Sequence, residues 1–164
     1  NPEDFFAKHN VAVNHPARQF TSSEIGGDNF KLQFTIPAGW EAEYIPSRQA
    51  LNLFSLRGEG TARDRSQIYI SFFDATRFQT LTTVNVLSTK DLKVGQENYV
   101  AKRYEIEKKS TVSTFADQPG WRNGKHFVTD FRDKEGQTRY YAFAKNPSVD
   151  ENTYQQVLAS IKID

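Results

Sequence analysis

Alternating apolar and polar residues predict β-strands along most of the chain. The clearest run covers residues 30–36, in which every second residue is apolar, as in a strand with one buried face. Residues 75–96 have some strand character but no regular alternation. Other strands are predicted at residues 40–45, 50–57, 67–74, 98–108, 125–132 and 137–145. Because residues 67–74 are apolar on both faces, we expect them near the middle of a sheet that is covered on both sides.

The C-terminal residues carry the clearest helical pattern. Four apolar residues recur at helical spacing and form one stripe: Tyr154, Val157, Leu158 and Ile161. Ser148 stands three residues before Glu151, which predicts a capping box at the start of the helix. We therefore expect this helix to cover one face of the sheet with its apolar stripe.

The length and the aromatic content fit one folded domain. The chain has 164 residues, and its 13 Phe and 7 Tyr supply enough apolar surface for a core. Residues 1–29 are polar and interrupted by Pro and Gly, so we interpret them as a tether and lead-in. Residues 30–164 then form a single α+β domain. Whether Phe5, Phe6 and Phe20 pack onto that domain is open at this stage.

The charge balance and the missing residue types narrow the function classes. The chain has 21 Lys and Arg against 20 Asp and Glu, so its balanced surface gives no reason to expect nucleic acid as a partner. No apolar run approaches the ~18 residues of a membrane-spanning helix. The absence of Cys excludes disulfides and zinc–thiolate sites. Met is absent too, even at position 1, so we expect a processed product with any signal or lipid anchor upstream of Asn1.

Four local features together point to one known family. They are a Pro-x-Gly-Trp turn at residues 37–40, the charged loop 57–66, a Tyr-Tyr-Ala-Phe run at 140–143 and a Leu-Ala-Ser-Ile run in the closing helix at 158–161. Over about residues 30–163 the chain resembles the PsbP-like family, named for an extrinsic subunit of photosystem II. The resemblance implies an α+β fold in which an antiparallel sheet of about six or seven strands has helices packed on its faces, as an α/β/α sandwich.

The same resemblance implies a role without catalysis, since relatives of this kind are mostly accessory, assembly or binding proteins. Bacterial relatives are often exported or lipid-anchored, so we expect an extracytoplasmic location, whether secreted, periplasmic or anchored at the cell surface. No ligand or partner residue of the family can be matched onto this sequence. Photosynthetic function is therefore not carried over.

His126 and Asp130 are the strongest candidates for chemistry. They lie four residues apart on a predicted strand, which places both side chains on one face at a separation of about 13 Å. This separation is too large for one metal ion to bind both, and a chain with three His and no Cys lacks the ligands of a structural zinc site. No Gly-x-Ser-x-Gly elbow and no phosphate-binding loop occur. We therefore predict no catalytic residue, no metal site and no cofactor.

Two loops carry the predicted partner-binding residues. In loop 116–124, Trp121 and Arg122 follow Pro-Gly, and both residue types are enriched at interface hot spots. This loop either folds back onto the sheet or presents both side chains to a partner. Three arginines of loop 57–66 are the other candidates: Arg57, Arg63 and Arg65. They either meet an acidic protein partner or belong to a solvated loop.

The predicted function is a non-catalytic, extracytoplasmic binding or accessory module that binds a protein partner through these two loops. Two alternatives stay open. One is an enzyme of unfamiliar type that uses His126 with Asp130 or Tyr140, which a deep polar pocket at these residues would favour. The other is a sensor that binds a small ligand or a metal ion.

Overall fold

The computed structural model describes residues 14–26, 30–74, 82–132 and 139–164. Ten strands lie in these ranges: β1 (Arg18–Phe20), β2 (Leu32–Ile36), β3 (Trp40–Ile45), β4 (Ala50–Ser55), β5 (Ser66–Asp74), β6 (Val84–Val94), β7 (Tyr99–Lys108), β8 (His126–Arg132), β9 (Arg139–Lys145) and β10 (Lys162–Ile163). The α-helix with both ends in these ranges is α1 (Glu151–Ala159). Three short 3-10 helices cover Ser22–Glu24, Pro46–Arg48 and Gly120–Asn123.

The strands form two antiparallel sheets. The large sheet has seven strands in the order β3-β4-β5-β9-β8-β7-β6, and the small sheet has three in the order β1-β2-β10. The small sheet and α1 pack on one side of the large sheet, which we call the first face. The opposite side, the second face, carries a separate apolar cluster and is covered in part by loop 116–124.

This architecture is mostly β, so the predicted α+β fold with helices packed on the sheet faces is wrong. The prediction placed residues 30–36 in one sheet with the other strands. Instead, β2 pairs with β1 and β10, and this second sheet covers the face that helices were expected to cover. Within the described ranges, α1 is the one α-helix that packs on the first face. The antiparallel pairing itself is as predicted.

Individual strands agree well with the sequence pattern. β3 has the predicted bounds, and β5 is covered on both sides, with Ile70 in the core of the first face and Tyr69 in the cluster of the second. β8 and β9 pair as the two arms of the predicted hairpin, whose turn at 133–136 lies outside the described residues. The undecided stretch 75–96 contains β6, an edge strand that is buried only at its ends, which explains the missing alternation.

The first face is an aromatic core between the two sheets. Phe34 of β2 meets Phe143 of β9 edge to face, with ring centroids 5.8 Å apart. The four residues of the predicted helical stripe are all buried against this core, which confirms that part of the prediction. The hydroxyl of Tyr154 lies 2.7 Å from both the Thr129 hydroxyl and the Phe143 carbonyl, so this buried polar atom is fully hydrogen-bonded.

The predicted capping box of α1 is wrong in its residues. The N-cap is Asp150, whose carboxylate accepts a hydrogen bond from the backbone N–H of Thr153 at 2.6 Å. Ser148 lies outside the helix and donates its hydroxyl to the side chain of Asn146 at 3.0 Å. Asp and Ser satisfy a first-turn N–H equally well, so the spacing from Ser148 to Glu151 could not decide between them.

Part of the predicted tether is a strand of the small sheet. β1 pairs with β2, and the buried ring of Phe20 stacks on Phe34 with ring centroids 5.1 Å apart. Of the three phenylalanines that the sequence left open, Phe20 therefore packs onto the sheets. Phe5 and Phe6 lie outside the described residues.

Candidate functional site

Loop 116–124 folds back onto the second face. Its short 3-10 helix follows Pro119. The side-chain oxygen of Asn123 accepts a hydrogen bond from the backbone N–H of Phe115 at 2.9 Å, which joins the two ends of the loop. The Trp121 ring packs against the apolar cluster of the second face and meets the His126 ring edge to face at 5.3 Å. Of the two predicted arrangements of this loop, the folded-back one is present.

Arg122 joins this loop to strand β8. Its Nη1 donates to Nε2 of His126 at 2.7 Å, and its Nε donates to the side chain of Gln118 at 3.2 Å. Burial, and then the adjacent Arg122 guanidinium, lower the pKa of His126 to about 4, so this imidazole is neutral at pH 7. Its Nδ1–H therefore donates to the Gly124 carbonyl at 2.8 Å. Burial also lowers the pKa of Arg122 to about 10, which leaves it charged at neutral pH.

Asp130 lies on the same face of β8 as His126, as the two-residue period predicts. The side chain is only 1% exposed, and neither carboxylate oxygen has a hydrogen bond to any described residue. Burial raises the pKa of Asp130 to about 7, although the charge of Arg122 acts in the opposite direction. A buried carboxylate without a partner is rare, because removing it from water costs free energy that hydrogen bonds normally offset.

A cavity of about 260 Å³ lies at Asp130 on the second face, and we call it the Asp130 cavity. Six polar residues line it: Arg48, Gln49, Ser71, Tyr104, Arg122 and Asp130. Apolar side chains from β5, β7, β8 and β9 complete the wall. Burial, followed by the effect of Asp130, raises the pKa of Tyr104 to about 12, so its hydroxyl is a neutral group at pH 7.

The acid–base residues considered from the sequence, His126 with Asp130 or Tyr140, do not meet in one cavity. Asp130 lines the cavity, whereas His126 and Tyr140 do not. His126 is 2% exposed, and both of its ring nitrogens are occupied by Arg122 and Gly124. Tyr140 stacks on Phe73 with ring centroids 5.7 Å apart. His126 therefore positions Arg122 and does not line the Asp130 cavity.

The three arginines of loop 57–66 have different surroundings. Arg57 is exposed. Arg65 donates to the Ser55 carbonyl at 2.8 Å and lies over the Phe54 ring. None of the three lines the Asp130 cavity.

An ion pair brings the two predicted partner-binding loops together. Arg63 lies 3.5 Å from Glu43 of β3 and 3.9 Å from Asp117 of loop 116–124. The predicted partner-binding residues thus do not form one patch: Trp121 and Arg122 pack on the second face, while Arg63 connects their loop to the neighbouring one.

In the described ranges, no three His, Cys, Asp or Glu side chains come close enough to hold a metal ion. Nor is any helix in that part of the chain both long and apolar enough to cross a membrane.

No protein-family model matches the chain, and no curated protein shows significant similarity to it. The PsbP-like resemblance therefore stays a prediction.

Most residues of the Asp130 cavity could not be found from the sequence. Arg48 lies on the turn between β3 and β4, and Ser71 and Tyr104 lie on strands that are distant along the chain. Two signals were present: Arg122 belongs to the predicted partner-binding set, and Asp130 is an acid on a predicted strand, beside Phe131 and two residues after Val128. A charge in such a position must be paired, neutral or functional.

Proposed function

We propose that this protein is a binding module whose second face takes up one small polar molecule in the Asp130 cavity. The observation that carries this proposal is Asp130, a residue of the cavity wall whose two carboxylate oxygens are buried and have no hydrogen-bond partner among the described residues. Of the functions considered from the sequence, this is the small-ligand sensor.

The cost of burying Asp130 supports a ligand as its missing partner. An isolated buried carboxylate is unfavourable by several kcal/mol, and proteins retain such groups chiefly where they bind or react. Leu, Asn or Thr at this position would avoid that cost. A bound molecule with an N–H or O–H group at Asp130 would supply the hydrogen bonds that the described residues do not.

The size and the lining of the cavity also fit this function. A volume of about 260 Å³ is slightly below the range of about 300–1,000 Å³ that is common for ligand pockets, which fits a small metabolite. Polar groups occupy part of the wall and apolar side chains such as Val128 and Ile106 the rest. This mixture is typical of sites that orient a ligand with a few polar contacts.

Proton transfer by Asp130 is a second candidate function. A carboxyl group whose pKa is about 7, in a residue that lines a cavity, can act as a general acid or base near neutral pH. Binding remains the preferred function, because the other titratable group of the sequence-derived set, His126, is turned away from the cavity. A ligand that is recovered unchanged after long incubation with the protein would separate binding from turnover.

The protein-partner function has less support on this face. Trp121, Arg122 and Arg65 make their contacts within the chain, which leaves Arg57 as the exposed member of the predicted set. The extracytoplasmic location and the PsbP-like kinship stay predictions from the sequence resemblance.

The test is an NMR screen of uncharged and cationic polar fragments against the wild-type protein and Asp130→Asn. We expect hits to shift backbone amides around Tyr104 and Val128, and we expect Asp130→Asn to weaken them about tenfold, which equals about 1.4 kcal/mol. Asp91→Asn is the matched control, since the Asp91 side chain is 85% exposed on edge strand β6. The proposal is contradicted by hits that bind elsewhere, or by equal losses in Asp130→Asn and Asp91→Asn.

A further inference from the structure

A second cavity, of about 290 Å³, adjoins the Asp130 cavity. The two share Arg48, Ser71 and Arg122 in their walls. The second cavity adds four other residues: Tyr69, Thr83, Phe115 and Gln118. We call it the Tyr69 cavity. A ligand that occupies both would contact Arg48 and Arg122 where the two cavities meet.

The Tyr69 hydroxyl is a second buried polar group without a partner. The residue is 2% exposed, and its oxygen makes no hydrogen bond to any residue of the described ranges. Burial is the main cause that raises the pKa of Tyr69, so the hydroxyl keeps its proton at neutral pH. Tyr69 lines this cavity, and its hydroxyl is a hydrogen-bond donor without a partner in the described ranges.

The two shared arginines supply further unused donors. Arg122 commits Nε and Nη1 to Gln118 and His126, and its Nη2 makes no hydrogen bond within the part of the chain that the structure describes. Arg48 is exposed on the turn between β3 and β4 and forms no ion pair with the described residues. Arg122 also lies over the Tyr69 ring, with its Cζ 5.6 Å from the ring centroid.

Charge and donor geometry in the Tyr69 cavity favour an anion. Its wall contains two arginines and the Tyr69 hydroxyl but no Asp or Glu. Asp117 acts on the Tyr69 hydroxyl but lies 3.9 Å from the guanidinium of Arg63, and Asp130 acts on Arg122 from the adjoining cavity. Arginine forks match the oxygens of carboxylate and phosphate groups, and such charge-assisted hydrogen bonds are stronger than neutral ones.

We propose that the ligand carries an anionic group, a carboxylate or a phosphate, held by Arg48, Arg122 and Tyr69, and a donor group at its other end that faces Asp130. This inference rests on the proposed small-molecule function and names the class of ligand. The two unpartnered groups, the Tyr69 hydroxyl and the Asp130 carboxylate, thereby receive complementary partners from one molecule.

The test uses inorganic phosphate and butyrate as probes of the anion end, followed by NMR. In the wild-type protein we expect saturable shifts of amides around Tyr69 and Gln118. We expect Arg48→Gln to weaken both probes about tenfold, since it removes a charged guanidinium, and Tyr69→Phe to weaken them about fivefold, since it removes one hydroxyl donor. Lys162→Gln is the control, because it removes one exposed positive charge on β10 of the small sheet and should leave binding within about twofold.

Three outcomes would overturn the inference. They are no saturable shift with either probe, equal weakening by Lys162→Gln and Arg48→Gln, and unchanged binding in Tyr69→Phe. The uncharged fragments distinguish ligand binding in the Asp130 cavity from anion binding in the Tyr69 cavity, because we expect their binding to depend on Asp130 and not on Arg48. If those fragments bind and the anions do not, only the anion inference fails. If the anions bind and no fragment depends on Asp130, the proposed function of the Asp130 cavity fails.

Discussion

The two faces of the large sheet are built by the same strands but differ in how they treat buried polar groups. On the first face, the Tyr154 hydroxyl has two hydrogen-bond partners. On the second face, the Tyr69 hydroxyl, the indole nitrogen of Trp121 and both carboxylate oxygens of Asp130 have none among the described residues. The first face is thus organised for stability, whereas the second retains groups that cost stability, as binding sites commonly do.

The largest change in stability is expected from a substitution on the first face. Leu158→Ala should lower the free energy of unfolding by about 2–5 kcal/mol, because Leu158 is buried among α1, the small sheet and the large sheet. Urea denaturation measures this change. Gln156→Ala is the control, since Gln156 is exposed on the same helix and should change stability by less than about 0.5 kcal/mol. An unchanged denaturation midpoint in Leu158→Ala would mean that α1 does not dock on the sheets.

The next largest change in stability is a gain, and it is expected from a substitution of Asp130. Its pKa is about 7 in the folded protein against an ordinary 3.8, so the folded state holds a proton that the unfolded chain releases between these values. This contribution favours folding below about pH 4 and is lost as the pH rises to 7. Each pKa unit corresponds to about 1.4 kcal/mol, and a buried Asn has its own cost. Asp130→Asn should therefore be more stable than wild type by about 2–3 kcal/mol at pH 8.

The pH dependence sharpens this test. His126 acts in the opposite sense, since its pKa falls from 6.5 to about 4 on folding and its contribution to stability grows between these values. In the wild-type protein, the pH dependences that Asp130 and His126 give to the free energy of unfolding therefore nearly cancel. The difference between Asp130→Asn and wild type isolates Asp130 and should grow from pH 4 to pH 7 in urea denaturation. A difference that stays constant with pH would mean that Asp130 is ionised and paired.

A smaller loss is expected from Trp121→Ala. The Trp121 ring packs on His126 and on the apolar cluster of the second face, so its removal should lower stability by about 1–3 kcal/mol. If instead the loop presents Trp121 to a protein partner, the thermal midpoint should stay nearly unchanged while partner capture is lost. Thermal denaturation of Trp121→Ala, with Lys125→Ala as the exposed control near the end of the same loop, distinguishes these arrangements.

The comparison of the faces also shows what the sequence could predict. Strand positions followed from alternation, and the stripe of α1 from helical spacing, because burial on one side leaves a period in the chain. The second sheet was missed because pairing partners are chosen among distant strands, and the alternation of β2 is the same whichever strands it joins. The pairing of β2 with β1 and β10 therefore left no local signal.

The candidate site was predictable in two residues only. The strand period places Asp130 on one face with His126, and Arg122 stands in loop 116–124 as a residue type that is common at interfaces. Arg48 lies on an exposed turn, and Tyr69 looks like an ordinary core residue of β5. Their convergence depends on the order of strands in the large sheet and on the folding back of loop 116–124, which no local pattern records.

The finest test of the comparison removes one hydroxyl from each face by the same substitution. Tyr154→Phe should cost about 1–2 kcal/mol, because it breaks a buried hydrogen bond and leaves the Phe143 carbonyl with one bond fewer. Tyr69→Phe should be neutral or slightly stabilising, because its hydroxyl gives up no hydrogen bond to the described residues. Urea denaturation of both variants at pH 7 gives the two values directly. Equal losses would show that the Tyr69 hydroxyl is hydrogen-bonded in the folded protein, and the distinction between a stabilising face and a ligand-binding face would no longer hold.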